Sequence, residues 1–147
     1  MRLSAVEAKV PEQAMAKFVQ SATILEVKDV KASEAFYREK LGFRPGVFFG
    51  DPPTFCIVSR DGIAILLDLA RTPHPAPLNQ YWAMYLYVDD VNAMATELAS
   101  RGFAFDRAPE DQPYGCRDFD IRDPDGHIIG IGQSEPSAAG KLTLPYE

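Results

Sequence analysis

Val27-Lys-Asp-Val-Lys-Ala32 and Val88-Asp-Asp-Val-Asn-Ala93 are one short pattern written twice. Leu41-Gly-Phe43 and Arg101-Gly-Phe103 repeat after it at nearly the same spacing. In each copy an apolar run leads into an aspartate, Asp29 or Asp90, that can cap a helix. A glycine, Gly42 or Gly102, then stands where that helix must end. A pattern of this length present in two copies indicates duplication of one supersecondary unit. It does not fit a solenoid, which needs three or more stacked copies.

The flanking sequence completes each unit. Residues 22–27 read as a strand, and Ala35, Phe36 and Leu41 lie near one face of the helix that follows. Strand-like runs at 45–49, 54–59 and 63–69 come next, separated by turns at Asp51-Pro-Pro53 and Arg60-Asp-Gly62. In the second copy, 82–88 reads as a strand, and Met94, Leu98 and Arg101 keep helical spacing. Strand-like segments recur at 103–106, 117–121 and 128–132. The expected fold is α+β: two βαβββ modules, 22–72 and 81–134, forming curved mixed sheets with a concave groove. Pro73, Pro75 and Pro77 exclude helix and strand interior, so 73–80 reads as a linker. Residues 1–21 read as an appendage with a short helix begun by Pro11, on which Met15, Phe18 and Val19 share a face. Residues 135–147 form a tail.

Composition narrows the function. The 147 residues are 46% hydrophobic, enough for a substantial core, and carry a net charge of −6. That charge repels phosphate backbones and attracts cationic ligands. Cys56 and Cys116 stand apart, without a zinc or redox spacing. No apolar run reaches the roughly 18 residues of a membrane span. Glu7, Lys9, Glu12 and Lys17 interrupt any signal-peptide pattern, which points to the cytoplasm. Nucleophile-elbow, zinc-protease and phosphate-loop motifs are missing, and no helix follows Gly130-Ile-Gly132 to make a dinucleotide site.

Three stretches carry a resemblance: 27–43, Tyr87-Val-Asp-Asp-Val91, and Arg122-Asp-Pro-Asp-Gly126 before the last strand. In this order they resemble the vicinal-oxygen-chelate superfamily, which includes glyoxalases, bleomycin-resistance proteins and dioxygenases. Gln112-Pro-Tyr-Gly115, Arg117-Asp-Phe119 and Asp123-Pro-Asp-Gly126 look most like the bleomycin-resistance branch, with Tyr114 in place of its usual tryptophan. Enzymes of the superfamily hold a divalent metal on the inner faces of the sheets. Alignment on the resemblance places Ala22, Ala83 and Gly130 at three of the ligand positions, and the fourth near Leu67 or Asp68. A metal needs converging oxygen or nitrogen donors. The three positions offer none, and His74 and His127 lie elsewhere. The expectation is therefore a metal-free protein with no cofactor and no catalytic residue that can be singled out.

Strand residues alternate between faces. If Ala22 and Ala83 face the groove, so do Ile24, Glu26, Tyr85 and Tyr87. Phe49, Phe55 and Tyr114 can add walls, and Asp118 or Asp120 can add negative charge. The ligand-binding set is thus Ile24, Glu26, Phe49, Phe55, Tyr85, Tyr87, Tyr114 and Asp118. Trp82, one residue before the aligned strand start, reads as a packing or interface residue. Planar and cationic groups suit such aromatic faces. The resemblance implies a homodimer that sequesters a drug-like or natural-product ligand, with no nucleic acid or membrane partner. The alternatives are a glyoxalase-like lyase, isomerase or dioxygenase of the same superfamily, and a ligand sensor or accessory subunit.

Overall fold

The computed structural model describes residues 9–72 and 81–134. In the first half, β1 (Ala22–Val27) leads to α1 (Val30–Lys40), then β2 (Val47–Phe49), β3 (Phe55–Arg60) and β4 (Ile63–Leu69). In the second, β5 (Trp82–Tyr87) leads to α2 (Val91–Ser100), then β6 (Arg107–Asp111), β7 (Cys116–Arg122) and β8 (Ile128–Ser134). The strands make two four-stranded sheets, ordered β1-β4-β3-β2 and β5-β8-β7-β6. In each sheet the first strand runs parallel to the last, and the other neighbours are antiparallel. The duplicated letters thus correspond to a duplicated α+β topology.

The repeated residues do the same work in both halves. Asp29 accepts a hydrogen bond from the Ala32 amide at 3.0 Å, and Asp90 from the Ala93 amide at 2.9 Å. Each carboxylate satisfies a helix N-terminal donor that would otherwise have no partner. Gly42 (φ +70°) and Gly102 (φ +94°) take the chain out of each helix through the left-handed region.

One face of each sheet packs under its helix. Leu25, Val27, Val58, Ile65 and Leu67 are buried in the first half, as are Phe119, Ile121, Ile129 and Ile131 in the second. Tyr37 of α1 and Leu98 of α2 press onto these faces. Each buried side chain of this size contributes about 1.5–3 kcal/mol. The halves are joined by polar and aromatic contacts. Arg60 donates to both Glu97 carboxylate oxygens, at 2.7 and 2.8 Å. Tyr37 donates to Asp123 at 3.2 Å, and the Lys28 amide to Asp125 at 2.8 Å. The Phe36 and Phe103 rings meet edge to face at 5.5 Å.

The structure departs from the sequence reading in three places. Among the described residues of the N-terminal segment there is only a 3-10 turn at Glu12–Ala14, not a helix running on through Val19. Met15, Phe18 and Val19 are exposed, so no surface stabilises a helix too short to persist alone. The strand expected at 103–106 instead starts at Arg107. Phe103 and Phe105 turn their rings onto the core, and pairing starts only where the Asp106 amide reaches the Asp120 carbonyl at 2.9 Å. β2 starts at Val47, because Pro45 has no amide to give and that of Gly46 goes to the Glu34 carboxylate at 3.3 Å. The expected linker at 73–80, the tail at 135–147 and His74 lie outside the described residues.

Candidate functional site

Among the described residues, no helix covers the other face of each sheet. On the first sheet that face carries Ile24 and Glu26 from β1, Leu66 and Asp68 from β4, Phe55 and Ile57 from β3, and Val47 and Phe49 from β2. Ile24 is 65% exposed, and Val47 and Phe49 about half exposed. Phe49 and Phe55 pair with ring centroids 5.8 Å apart. Glu26 and Asp68 are direct neighbours across the β1–β4 ladder, a small acidic spot on an apolar surface.

The second sheet is chemically different. Tyr85 lies opposite Gly130, and Tyr87 opposite Gly132. Asp120 and Asp118 flank the same two glycines from β7. A methyl group on Gly130 would come within 2.7 Å of both Trp82 Nε1 and Tyr85 Cδ2. One on Gly132 would overlap the Tyr85 hydroxyl. The glycines therefore form a floor on which the Tyr85 ring lies flat against the sheet. A bulge in β5 between Trp82 and Met84 brings Trp82 onto the same face. The outcome is a run of edge-to-face rings. Tyr114 and Trp82 are 6.3 Å apart, Trp82 and Tyr85 4.7 Å, and Tyr85 and Tyr87 5.0 Å. Such pairs add about 0.5–1.5 kcal/mol each beyond buried area.

Under the rings lies a charge network. Tyr85 and Tyr114 both donate to Asp118 Oδ2, at 2.9 and 2.5 Å. Arg107 Nη2 donates to Asp118 Oδ1 at 2.5 Å and to Asp120 Oδ1 at 3.1 Å. Trp82 Nε1 donates to Asp120 Oδ1 at 2.8 Å. Burial, reinforced by the bond to Asp118, pushes both tyrosine hydroxyls above their ordinary range, so they stay neutral donors. Burial opposes the Arg107 charge, but its bonds to Asp120 and Asp118 outweigh it and raise its pKa. A cavity of about 370 Å³ opens beside this network, lined by Tyr81, Trp82, Tyr114 and Ile128 with Arg107, Glu110, Gln112 and Asp120. That size falls in the range of small-molecule sites. An apolar cavity of about 320 Å³ lies at the junction of the halves, walled by Leu41, Phe43, Ile63, Leu86, Met94 and Ile131 among others.

Of the residues expected at the site, the fold brings Tyr85, Tyr87, Tyr114 and Asp118 together on the second sheet. Ile24, Glu26, Phe49 and Phe55 gather separately, on the first. The role expected of Asp118 needs correction. It is 0% exposed and its oxygens are taken by two tyrosines and Arg107, so it offers no charge to solvent. Arg107 escaped the sequence reading because the strand was placed four residues too early. The usable signal was the same-face pair Asp118 and Asp120, which called for a cation. Trp82 was missed as a site residue because a bulge leaves no mark in a period-two pattern. The positions aligned with metal ligands hold Ala22, Ala83 and Gly130, none with a donor side chain. His127 is buried with Nε2 2.7 Å from the Glu26 carbonyl. No group of three or more His, Cys, Asp or Glu among the described residues is placed to hold a metal, so the residues present do not fit one.

Comparison with known proteins agrees with this architecture. TnmS3, an antibiotic binding protein from Streptomyces sp. CB03234, is 27% identical with a TM-score of 0.65, covering 82% of this chain and 99% of its own. A glyoxalase/bleomycin resistance protein/dioxygenase superfamily member from Sphaerobacter thermophilus is 25% identical with a TM-score of 0.63, covering 81% and 98%. A glyoxalase/bleomycin resistance protein/dioxygenase from Nocardioides, at 21% identity and a TM-score of 0.62 with 88% and 92% covered, shares the fold. Comparison with curated proteins finds no significant match. Residues 19–131 match the Glyoxalase/Bleomycin resistance protein/Dioxygenase superfamily, and the chain belongs to that family.

Proposed function

We propose that this chain is a small-molecule-binding protein that sequesters a planar drug-like or natural-product ligand on the aromatic wall of the second sheet. The observation that carries this reading is the run of four rings from Tyr114 to Tyr87, laid over a glycine floor beside a cavity. A floor without side chains costs packing, and that cost is understandable where a flat aromatic surface is needed for stacking. The similarity to an antibiotic binding protein supports the same reading.

The first sheet supplies the facing wall in a homodimer. Ile24, Val47 and Phe49 leave an apolar face uncovered, which a second copy would bury. Ile24, Phe49 and Phe55 would then contact the far side of the ligand, with Glu26 and its neighbour Asp68 giving the groove its negative charge. Sequestration needs no leaving group, no base and no metal, and it suits a cytoplasmic protein that protects its host.

Calorimetric titration with metal-free bleomycin tests the proposal. Saturable heat near one ligand per chain, lost in Tyr85→Ala and Tyr87→Ala, supports it. Equal binding by these variants moves the site elsewhere. Silence towards bleomycin, together with silence towards a panel of planar antibiotics, rejects sequestration on this wall.

A further inference from the structure

The hydrogen-bond partners at the wall limit what it can hold, and the following step rests on the binding-site reading above. Every N–H of Arg107 is engaged. Nε meets Asp120 Oδ2 at 3.1 Å. Nη1 meets Glu110 Oε1 at 3.1 Å and the Asp118 carbonyl at 3.3 Å. Nη2 meets Asp118 Oδ1 and Asp120 Oδ1. The Trp82 indole N–H goes to Asp120, and the Tyr85 and Tyr114 hydroxyl protons both go to Asp118. Among the side chains lining the cavity, spare donors remain only on Tyr81 and Gln112.

The acceptors are not exhausted in the same way. The Tyr114 phenol oxygen has given its proton to Asp118 and keeps lone pairs, whereas the Tyr85 hydroxyl also meets the Cys116 thiol. Glu110 Oε2 has no partner among the described residues, while Glu110 Oε1 serves Arg107 and Gln112. Charge has the same bias: three carboxylates, Asp118, Asp120 and Glu110, surround the single guanidinium of Arg107. We infer that the wall selects planar molecules with N–H or O–H donors at their edge, neutral or cationic, and rejects anions and edges that only accept hydrogen bonds. An acceptor brought against the rings would lose its water and find the donors of Arg107, Trp82, Tyr85 and Tyr114 already taken. A carboxylate would also meet like charge.

Four small probes test this on the intact protein: 2-naphthol, 2-methoxynaphthalene, 2-naphthoate and naphthalene. Trp82 is the only tryptophan, so its indole N–H gives a single NMR cross-peak inside the wall. Shifts of that peak report dissociation constants at this place. The expected order has 2-naphthol roughly 3- to 10-fold tighter than 2-methoxynaphthalene, the net worth of one hydrogen bond. 2-Naphthoate should be weaker than naphthalene. Tyr114→Phe keeps the ring and removes the hydroxyl, so it should narrow the naphthol-to-methoxynaphthalene ratio. Binding by all four within twofold overturns the polarity rule and leaves the aromatic site standing. Tighter binding of 2-naphthoate or 2-methoxynaphthalene also overturns the rule. A peak that none of the probes moves overturns the site reading and this inference with it.

Discussion

Gly132→Ala puts one methyl group where the Tyr85 ring lies, and the consequence can be worked from the geometry. The added carbon would overlap the Tyr85 hydroxyl, sit 2.6 Å from Cζ, and lie 3.0 Å from Asp118 Cβ. The ring has to lift off the sheet. Its bond to the buried Asp118 carboxylate is lost with it, at about 1.5–3 kcal/mol for a charged acceptor. The edge contacts with Trp82 and Tyr87 weaken as well, worth about 0.5–1.5 kcal/mol each. Alanine returns roughly 0.5–1 kcal/mol by restricting the unfolded chain. Gly132 has no positive φ, so backbone strain plays no part. The net cost is about 2–4 kcal/mol, read as a shift in urea midpoint at unchanged slope. The same substitution in a Tyr85→Ala background should cost less than about 1 kcal/mol, because the ring is gone and only the 3.0 Å approach to Asp118 Cβ is left. An equal cost in both backgrounds would refute the claim that Gly132 is small for the sake of Tyr85.

Arg107→Met leaves Asp118 as a buried charge with only phenol donors, and should cost about 3–5 kcal/mol in the same assay. The Arg60 hydrogen bonds hold the Glu97 pKa below its usual 4.5. Because the folded value is the lower one, this contribution is complete above pH 4.5 and is lost as pH falls through the folded value. Urea midpoints from pH 6 to 3 should decline, and Glu97→Gln should flatten that part of the decline. Burial, with Glu34 nearby, raises the Cys56 thiol to about 11, and Cys56 is wholly buried. Ellman titration at pH 8 should count one thiol in the folded chain, Cys116, and two in urea. Removing residues 1–19 should leave the urea midpoint unchanged within about 0.5 kcal/mol, since none of the described side chains there is buried.

The repeat and its caps were legible because they are local. An aspartate before a helix and a glycine after it act over a few residues, so letters alone locate them. The inner-face assignment of Tyr85 and Tyr87 was legible for the same reason, since alternation in a strand is fixed by the pleat. Long-range pairing could not be read. That Tyr85 and Tyr114 meet at one carboxylate depends on the β7–β8 and β5–β8 registers. Neither leaves a trace in any single stretch. Arg107 depends on where the edge strand begins, and Phe103 and Phe105 imitated a strand while serving as core. The aspartates were identified as charges, but whether a charge faces solvent or a buried arginine is decided only by the fold.

The two halves show how one scaffold yields unlike walls. The repeat sets Ile24 against Tyr85 and Glu26 against Tyr87 as matching positions. Their ladder neighbours differ in the opposite sense. Ile24 lies beside Leu66 and Glu26 beside Asp68, whereas Tyr85 lies beside Gly130 and Tyr87 beside Gly132. In the first half, two medium side chains share each row and stand up from the sheet. In the second, all the volume sits on β5 and none on β8, so the tyrosine beside Gly130 lies down across the row. A ring lying flat can carry its hydroxyl across β8 to a carboxylate on β7. That carboxylate, once buried, needs Arg107. The glycines are therefore the first cause in the chain: they lay the ring flat, the ring covers Asp118, and Asp118 fixes the arginine. The polarity of the wall follows from where two side chains were left out.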